Sequence, residues 1–241
     1  RSDVRTDGPP ATLRTPGGMS ETEQQYEVAI VGGGPAGLSA GIWLGRYLHK
    51  VVLIDSGDPR NWETRGVNGF LGHPRVLPAD LRGNGRDECR TYGVELVDGC
   101  VQSVRADGEE DFSLTLADGR EFRATRLLLA FGLRDVWPDI EGLDHVYGDA
   151  AHVCPDCDGY EAKDKKIVVI GSGRRAVGMA LSLTTWTKDI TICTNGADPR
   201  LDDELRQKLD GQRIPVHTEP ISKLHLREHN LRSLHFADGR S

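Results

Sequence analysis

The chain has 241 residues, 37% of them hydrophobic and 28% charged, which fits one large or two ordinary globular domains. Its net charge of -7 argues against nucleic acid or an anionic membrane as the default partner, and no apolar run reaches the length of a membrane span. Five cysteines are too few, and odd in number, for a disulfide-stapled secreted fold, so the setting expected is reducing and cytoplasmic.

Residues 1–23 are rich in Pro, Gly, Thr and Arg, lack apolar periodicity and are expected to form a disordered tail, with Met19 as the natural start. Tyr26–Val31 then reads as a short buried strand. It runs into Gly32-Gly33-Gly34-Pro35-Ala36-Gly37, a helix-period segment from Leu38 to about Leu48, and a second apolar strand, Lys50–Ile54, ending on Asp55. This is the pattern of a dinucleotide-binding βαβ unit. Gly32 allows the tight turn, Gly34 the approach of backbone to a pyrophosphate, and Gly37 the close packing of helix on strand. The helix N-terminus supplies N–H groups to phosphates. Asp55, 23 residues after Gly32, stands where a carboxylate accepts hydrogen bonds from an adenosine ribose.

Residues 60–78 read as loop, 81–92 as helix and 94–97 as strand. Three short segments, 101–105, 112–117 and 120–125, suggest an antiparallel meander with Asp118-Gly119 at a hairpin turn. Arg126–Phe131 is expected as a separate returning strand ending on Gly132, where a glycine lets the chain pass close to a nucleotide. Val136–Gly142 is a Pro/Gly-containing connector, and the domain boundary is expected just before it, giving a first domain over 24–135 and a second over 136–241.

Cys154-Pro155-Asp156-Cys157-Asp158-Gly159 follows, a CxxC pair between two glycine-rich patterns. A zinc site needs four ligands; here there is one pair, with His152 near and Cys89 and Cys193 scattered, so redox chemistry is the better reading. The second unit then opens: strand 165–170, the loop Gly171-Ser172-Gly173-Arg174-Arg175-Ala176, a helix from Ala176 to about Thr185 and strand 189–193. Thr194 falls 23 residues after Gly171, so the second unit carries no ribose acid. Arg174, Arg175 and Arg200 can meet a 2′-phosphate or stand as solvated charge, and the lean is toward NADPH with NADH not excluded. Phe236–Arg240 repeats the turn at Leu116–Arg120, after which the chain stops without a returning strand, and a C-terminal truncation is expected. The fold class expected is α/β, two Rossmann-like three-layer dinucleotide-binding domains, each with a small antiparallel meander.

With these motifs in this order, residues 25–241 resemble the low-molecular-weight thioredoxin reductases, FAD-dependent pyridine nucleotide-disulfide oxidoreductases whose thiol pair lies just before the nicotinamide loop. The resemblance implies FAD on Gly32, Gly34, Pro35, Ala36, Gly37 and Asp55, with Val101 on the adenine-contacting strand and Gly132 beside the nucleotide. It implies NADPH on Gly171, Ser172, Gly173 and Ala176, the loop that also carries Arg174 and Arg175. Cys157 matches the flavin-proximal cysteine, Cys154 the one that exchanges with substrate, and Asp158 the acid/base. It further implies a homodimer in the full-length form, a thioredoxin-like protein or small disulfide as partner, and a rotating nicotinamide domain with 136–142 as hinge. Phe131 before the glycine, the absence of the basic cluster at Thr194-Asn195-Gly196, and the missing C-terminal flavin segment depart from the family. A dithiol oxidase built from the same parts, or a non-catalytic nucleotide-binding fragment, are the competing readings.

Overall fold

In the computed structural model, Gln25–Val31 (β1) and Val51–Asp55 (β2) lie parallel, Val28 opposite Val51 and Val31 opposite Ile54. The structure describes residues 25–108, 110–228 and 230–241; the expected N-terminal tail, residues 1–23, lies outside them. All five residues of β2 are buried, which is why the strand reads as an unbroken apolar run rather than an alternating one. Its side chains still alternate. Val28, Ile30, Val51 and Leu53 enter one cluster with Leu38 and Cys89, whereas Ala29, Val52 and Ile54 enter another with Val97, Leu114 and Leu116.

Glu95–Asp98 (β3), Val101–Ala106 (β4), Phe112–Leu116 (β5) and Glu121–Leu129 (β6) complete a six-stranded sheet in the order β3-β2-β1-β6-β5-β4. The meander and the returning strand were expected as separate pieces. They are continuous: β6 is one strand, antiparallel to β5 over residues 121–124 and parallel to β1 over residues 123–129. Arg123 and Arg126 interrupt its apolar pattern, yet their backbones pair with Gln25 and Val28.

Helix α1 runs Pro35–Arg46, three residues earlier than the apolar periodicity suggests. Pro35 supplies the preset φ of a first helical position, and its missing N–H costs nothing there. Gly41 and Gly45 let the helix pack closely: a Cβ on Gly41 would lie 3.1 Å from Cys89 Sγ, and one on Gly45 2.9 Å from Tyr92. Cys89 belongs to α2, Pro78–Thr91.

Contacts divide the described chain into two units, one of residues up to 57 and 89–131, the other of 58–88 and 132–241. Residues 58–88 group by their contacts with 132–241.

The second unit contains a parallel sheet, Ile167–Ile170 (β7), Ile190–Cys193 (β8) and Val216–His217 (β9), in the order β7-β8-β9. Helices Gly173–Leu183 (α4) and Asp203–Gln212 (α5) cover one face through Val177, Ala180, Leu205 and Leu209. The hairpin Ile221–Arg227 (β10) and Asn230–Phe236 (β11) is the antiparallel element of this unit. It packs with Ile140, Leu143, Val146 and Cys193. The far end of the expected connector is therefore core: Leu224 N–H donates to Glu141 O at 2.8 Å, and Ile140 is buried. Among the described residues no helix is long and apolar enough to cross a membrane.

The internal repeat reaches individual hydrogen bonds. Gly32 N–H donates to Ile54 O at 2.8 Å, and Gly171 N–H to Cys193 O at 3.0 Å. At both hairpin turns an arginine folds back on the aspartate two residues earlier, Arg120 on Asp118 and Arg240 on Asp238, each with a 3.1 Å backbone bond. Arg120 also holds Asp98 O at 2.7 Å, while Arg240 reaches the Glu219 carboxylate.

Candidate functional site

The first glycine loop turns at Gly32, whose φ of +109° is closed to other residues without strain. A Cβ there would sit 2.6 Å from the Ala130 carbonyl carbon and 2.8 Å from Phe131 Cα, and a Cβ on Gly37 would strike the Gly32 carbonyl oxygen. The close approach expected at Gly132 is thus made by Ala130 and Phe131; Gly132 itself has open space at its Cβ position and needs glycine for its φ of +67°. Gly34 caps α1 with no side chain and also faces open space, and the first turn of α1 bears no acid. Pro35 and Ala36 follow within that turn. Asp55, 7% exposed, accepts the Gly33 N–H at 3.0 Å, which fastens the end of β2 to the loop. Val101 is brought near: Gly99 N–H donates to Asp55 O at 2.9 Å, and Val101 opens β4 opposite Leu116.

The second loop repeats this with Gly171 and Gly173, and α4 begins at Gly173, not at the expected Ala176, which is buried in its first turns. Ser172 is the N-cap but makes no side-chain cap bond, and again no acid stands in the first turn. Helix α5 is the contrast. Asp202 caps it by accepting Leu205 N–H at 2.8 Å, and Asp203 and Glu204 neutralise its positive end. Two helices left uncapped behind glycine turns, beside one that caps itself, fit helices whose N-termini receive phosphate.

The polar groups near the second loop are largely occupied within the protein. Thr194 is buried and donates to Ala197 O at 2.6 Å. Arg174 lies 3.4 Å from Asp202 and 4.0 Å from Glu204, so of the three arginines considered for a 2′-phosphate it already serves carboxylates. Arg175 is exposed on α4. Gly173 N–H donates to Pro199 O at 2.9 Å, which brings Arg200 against the loop.

Cys154 and Cys157 form a disulfide with Cα atoms 5.3 Å apart. Cys154 is the N-cap of a single helical turn, Pro155–Asp158 (α3), and its Sγ accepts the Cys157 N–H at 3.2 Å. Asp158 N–H donates to Cys154 O at 3.3 Å, so Asp158 lies one turn below Cys154. Gly159 seats this turn: a Cβ there would meet Pro155 O and the Trp186 ring, each at 2.5 Å. Asn68 donates to Cys157 O at 3.2 Å.

Burial raises the Asp158 carboxyl above its ordinary range, His152 opposes that, and Glu161 adds to it. His152 Nδ1 lies 3.4 Å from Asp158 Oδ2. The sequence places His152 near the thiols only as a possible zinc ligand, and among the described residues no cluster suited to a metal occurs. Trp186 and Asn68 carry no motif and could not be found without the fold. Of the remaining cysteines, Cys100 is exposed, whereas Cys89 and Cys193 are buried. Burial pushes the Cys193 thiol up to about 11.

Two glycine-loop βαβ units and a disulfide on the approach to the second define a nucleotide-binding α/β protein with a redox-capable dithiol. The pattern of the pyridine nucleotide-disulphide oxidoreductase family matches residues 26–231, and the chain belongs to that family, as a member of its low-molecular-weight thioredoxin-reductase-like branch. It is 29% identical over 217 residues to a "Probable thioredoxin reductase" of Arthroderma benhamiae, covering 84% of this chain and 54% of that protein. It is 30% identical over 176 residues to the thioredoxin reductase of Bacillus subtilis, covering 72% and 55%. The crystal structure of HlmI superposes with a TM-score of 0.83 at 34% identity, covering 89% of this chain and 68% of the other. The chain spans about half the length of the curated relatives it matches.

Proposed function

We propose that the chain serves an FAD-dependent NADPH:disulfide oxidoreductase in which Cys154 and Cys157 relay electrons to thioredoxin or a small disulfide. The observation that carries this reading is the closed Cys154–Cys157 bridge on a one-turn helix in the same unit as the second glycine loop. Gly32, Gly34, Pro35, Ala36, Gly37 and Asp55, with Val101 and Gly132 nearby, are the residues that would hold FAD. Gly171, Ser172, Gly173, Arg175 and Ala176 would hold NADPH, with Arg174 positioning α5. When bound, flavin and nicotinamide supply the two electrons that open the disulfide.

The chain's own residues do the rest. The N–H of Cys157 aimed at Cys154 Sγ favours thiolate at Cys154, and a thiolate is the form that attacks a substrate disulfide. Cys157 then displaces the mixed disulfide and closes the bridge again. Asp158, raised by burial, keeps its proton to higher pH than an exposed aspartate and can pass it to a departing sulfur. The reading is tested by whether NADPH, in the presence of FAD, converts Cys154 and Cys157 to thiols.

Asp55→Asn isolates the ribose contact. The amide oxygen still accepts the Gly33 N–H, so the urea midpoint should stay within the range of a surface change. Loss of a charged acceptor weakens FAD by about tenfold or more, read from quenching of flavin fluorescence on titration.

A further inference from the structure

His152 sits between two acceptors. Its Nε2 is 2.9 Å from the carbonyl oxygen of Asp149, and its Nδ1 is 3.4 Å from Asp158 Oδ2. A carbonyl only accepts, so Nε2 carries a hydrogen. A neutral ring then has a lone pair at Nδ1, which would face the lone pairs of a carboxylate. At 3.4 Å the ring acts on the carboxyl through charge: a protonated ring favours the carboxylate, and a neutral ring leaves the carboxyl freer to hold its own proton. The side chains are 29% and 18% exposed, so water screens this choice weakly.

The ring is held from behind. Asp149, whose carbonyl fixes Nε2, is itself anchored by Arg65 at 2.9 Å, and the turn is tied by Asp149, Ala150 and Ala151 N–H groups donating to Val146 O. The other charged or titratable groups facing the pair are Glu161, which favours the protonated carboxyl, and Tyr147, whose phenol is raised by burial and feels Asp158.

We infer that His152 is the positioning residue of the dithiol's acid/base group: held by the Asp149 carbonyl with its Nδ1 facing the Asp158 carboxyl, it sets through its charge when the Asp158 proton is available to the sulfurs. This rests on the redox reading of Cys154 and Cys157. The step balances. Two electrons from a reduced flavin or a dithiol open the bridge to two thiolates. The Asp158 carboxyl gives its proton to one of them, leaving a carboxylate beside one thiol and one thiolate. Reoxidation returns the proton.

The test needs neither flavin nor nucleotide, so it does not fail with the nucleotide reading. The full chain is reduced with dithiothreitol and desalted under argon. The rate of iodoacetamide labelling at Cys154 and Cys157 is then followed by peptide mass spectrometry between acid and alkaline pH. The wild type is expected to show an inflection besides that of a simple thiol. His152→Ala and Asp158→Asn should each remove it, changing the labelling rate in that range by about threefold or more, and the double variant should change nothing further. His152→Gln, which keeps a donor toward Asp149, should fold as the wild type does and still lose the inflection. A His152→Ala or His152→Gln profile that overlays the wild type, or effects that add in the double variant, would overturn the inference. Absent NADPH-driven reduction with this profile intact would instead count against the proposed function alone.

Discussion

Cys154→Ser stops NADPH-dependent reduction of a disulfide substrate while leaving flavin reduction by NADPH intact. The oxygen cannot form the bridge to Cys157, and a serine hydroxyl is not ionised at neutral pH, so the attacking group is gone. Loss of a nucleophile acts on the order of 10⁴-fold or more. Turnover is read as NADPH consumption with thioredoxin or a small aromatic disulfide, and flavin reduction as bleaching of its visible band in stopped flow. The split between the two is the informative part. Loss of both steps would mean that Cys154 supports the nucleotide sites rather than the exchange, and would contradict the roles given to the pair.

Gly32→Ala carries the largest effect on stability. The added methyl falls on Ala130 and Phe131 backbone atoms, which belong to the β6 side of the sheet and cannot swing aside as a flexible side chain would. The φ of +109° adds backbone strain for any residue with a Cβ. Together these cost about 3 kcal/mol or more, seen as a fall in the urea midpoint. Gly34→Ala is the control. Gly34 has a φ of -78° and nothing near its Cβ position, so the substitution costs about 1 kcal/mol or less. Its methyl projects into the open space that the loop leaves for a pyrophosphate, so FAD affinity should fall though the fold persists. Equal stability loss in both variants would contradict the division of roles within the loop.

The strands and glycine turns were legible because their causes are local. A parallel strand covered on both faces must be apolar at every position, as β2 is, and a turn at φ +109° must be glycine. The family resemblance rests on those residues, and the fold and the family are as expected. The apolar period starts α1 late because Pro35, a good first helical residue, has no place in it. The charge of Arg126 breaks the apolar pattern of β6 and hides a continuous strand whose pairing is made by backbone. The grouping of 58–88 with the second unit was not legible at all. It depends on contacts such as Gly148 against the Glu63 carbonyl and Arg65 with Asp149, which join residues far apart in sequence and follow no period. His152 was visible as a residue but not as a partner. Its meeting with Asp158 is set by the turn at Val146–Ala151, and by the single turn of α3 that points Asp158 back toward it. The seat that Trp186 makes for Gly159 is hidden for the same reason.

The most direct test is to supply the protein with FAD, titrate it with NADPH under argon, block thiols with iodoacetamide and locate the labels by peptide mass spectrometry. Cys89 and Cys193 are buried, and Cys100 takes no part, so these three should label alike with and without NADPH. Cys154 and Cys157 are expected to gain label together, in proportion to the NADPH consumed. Failure to bind FAD, or NADPH consumption that leaves the Cys154–Cys157 disulfide closed, would contradict the proposed function.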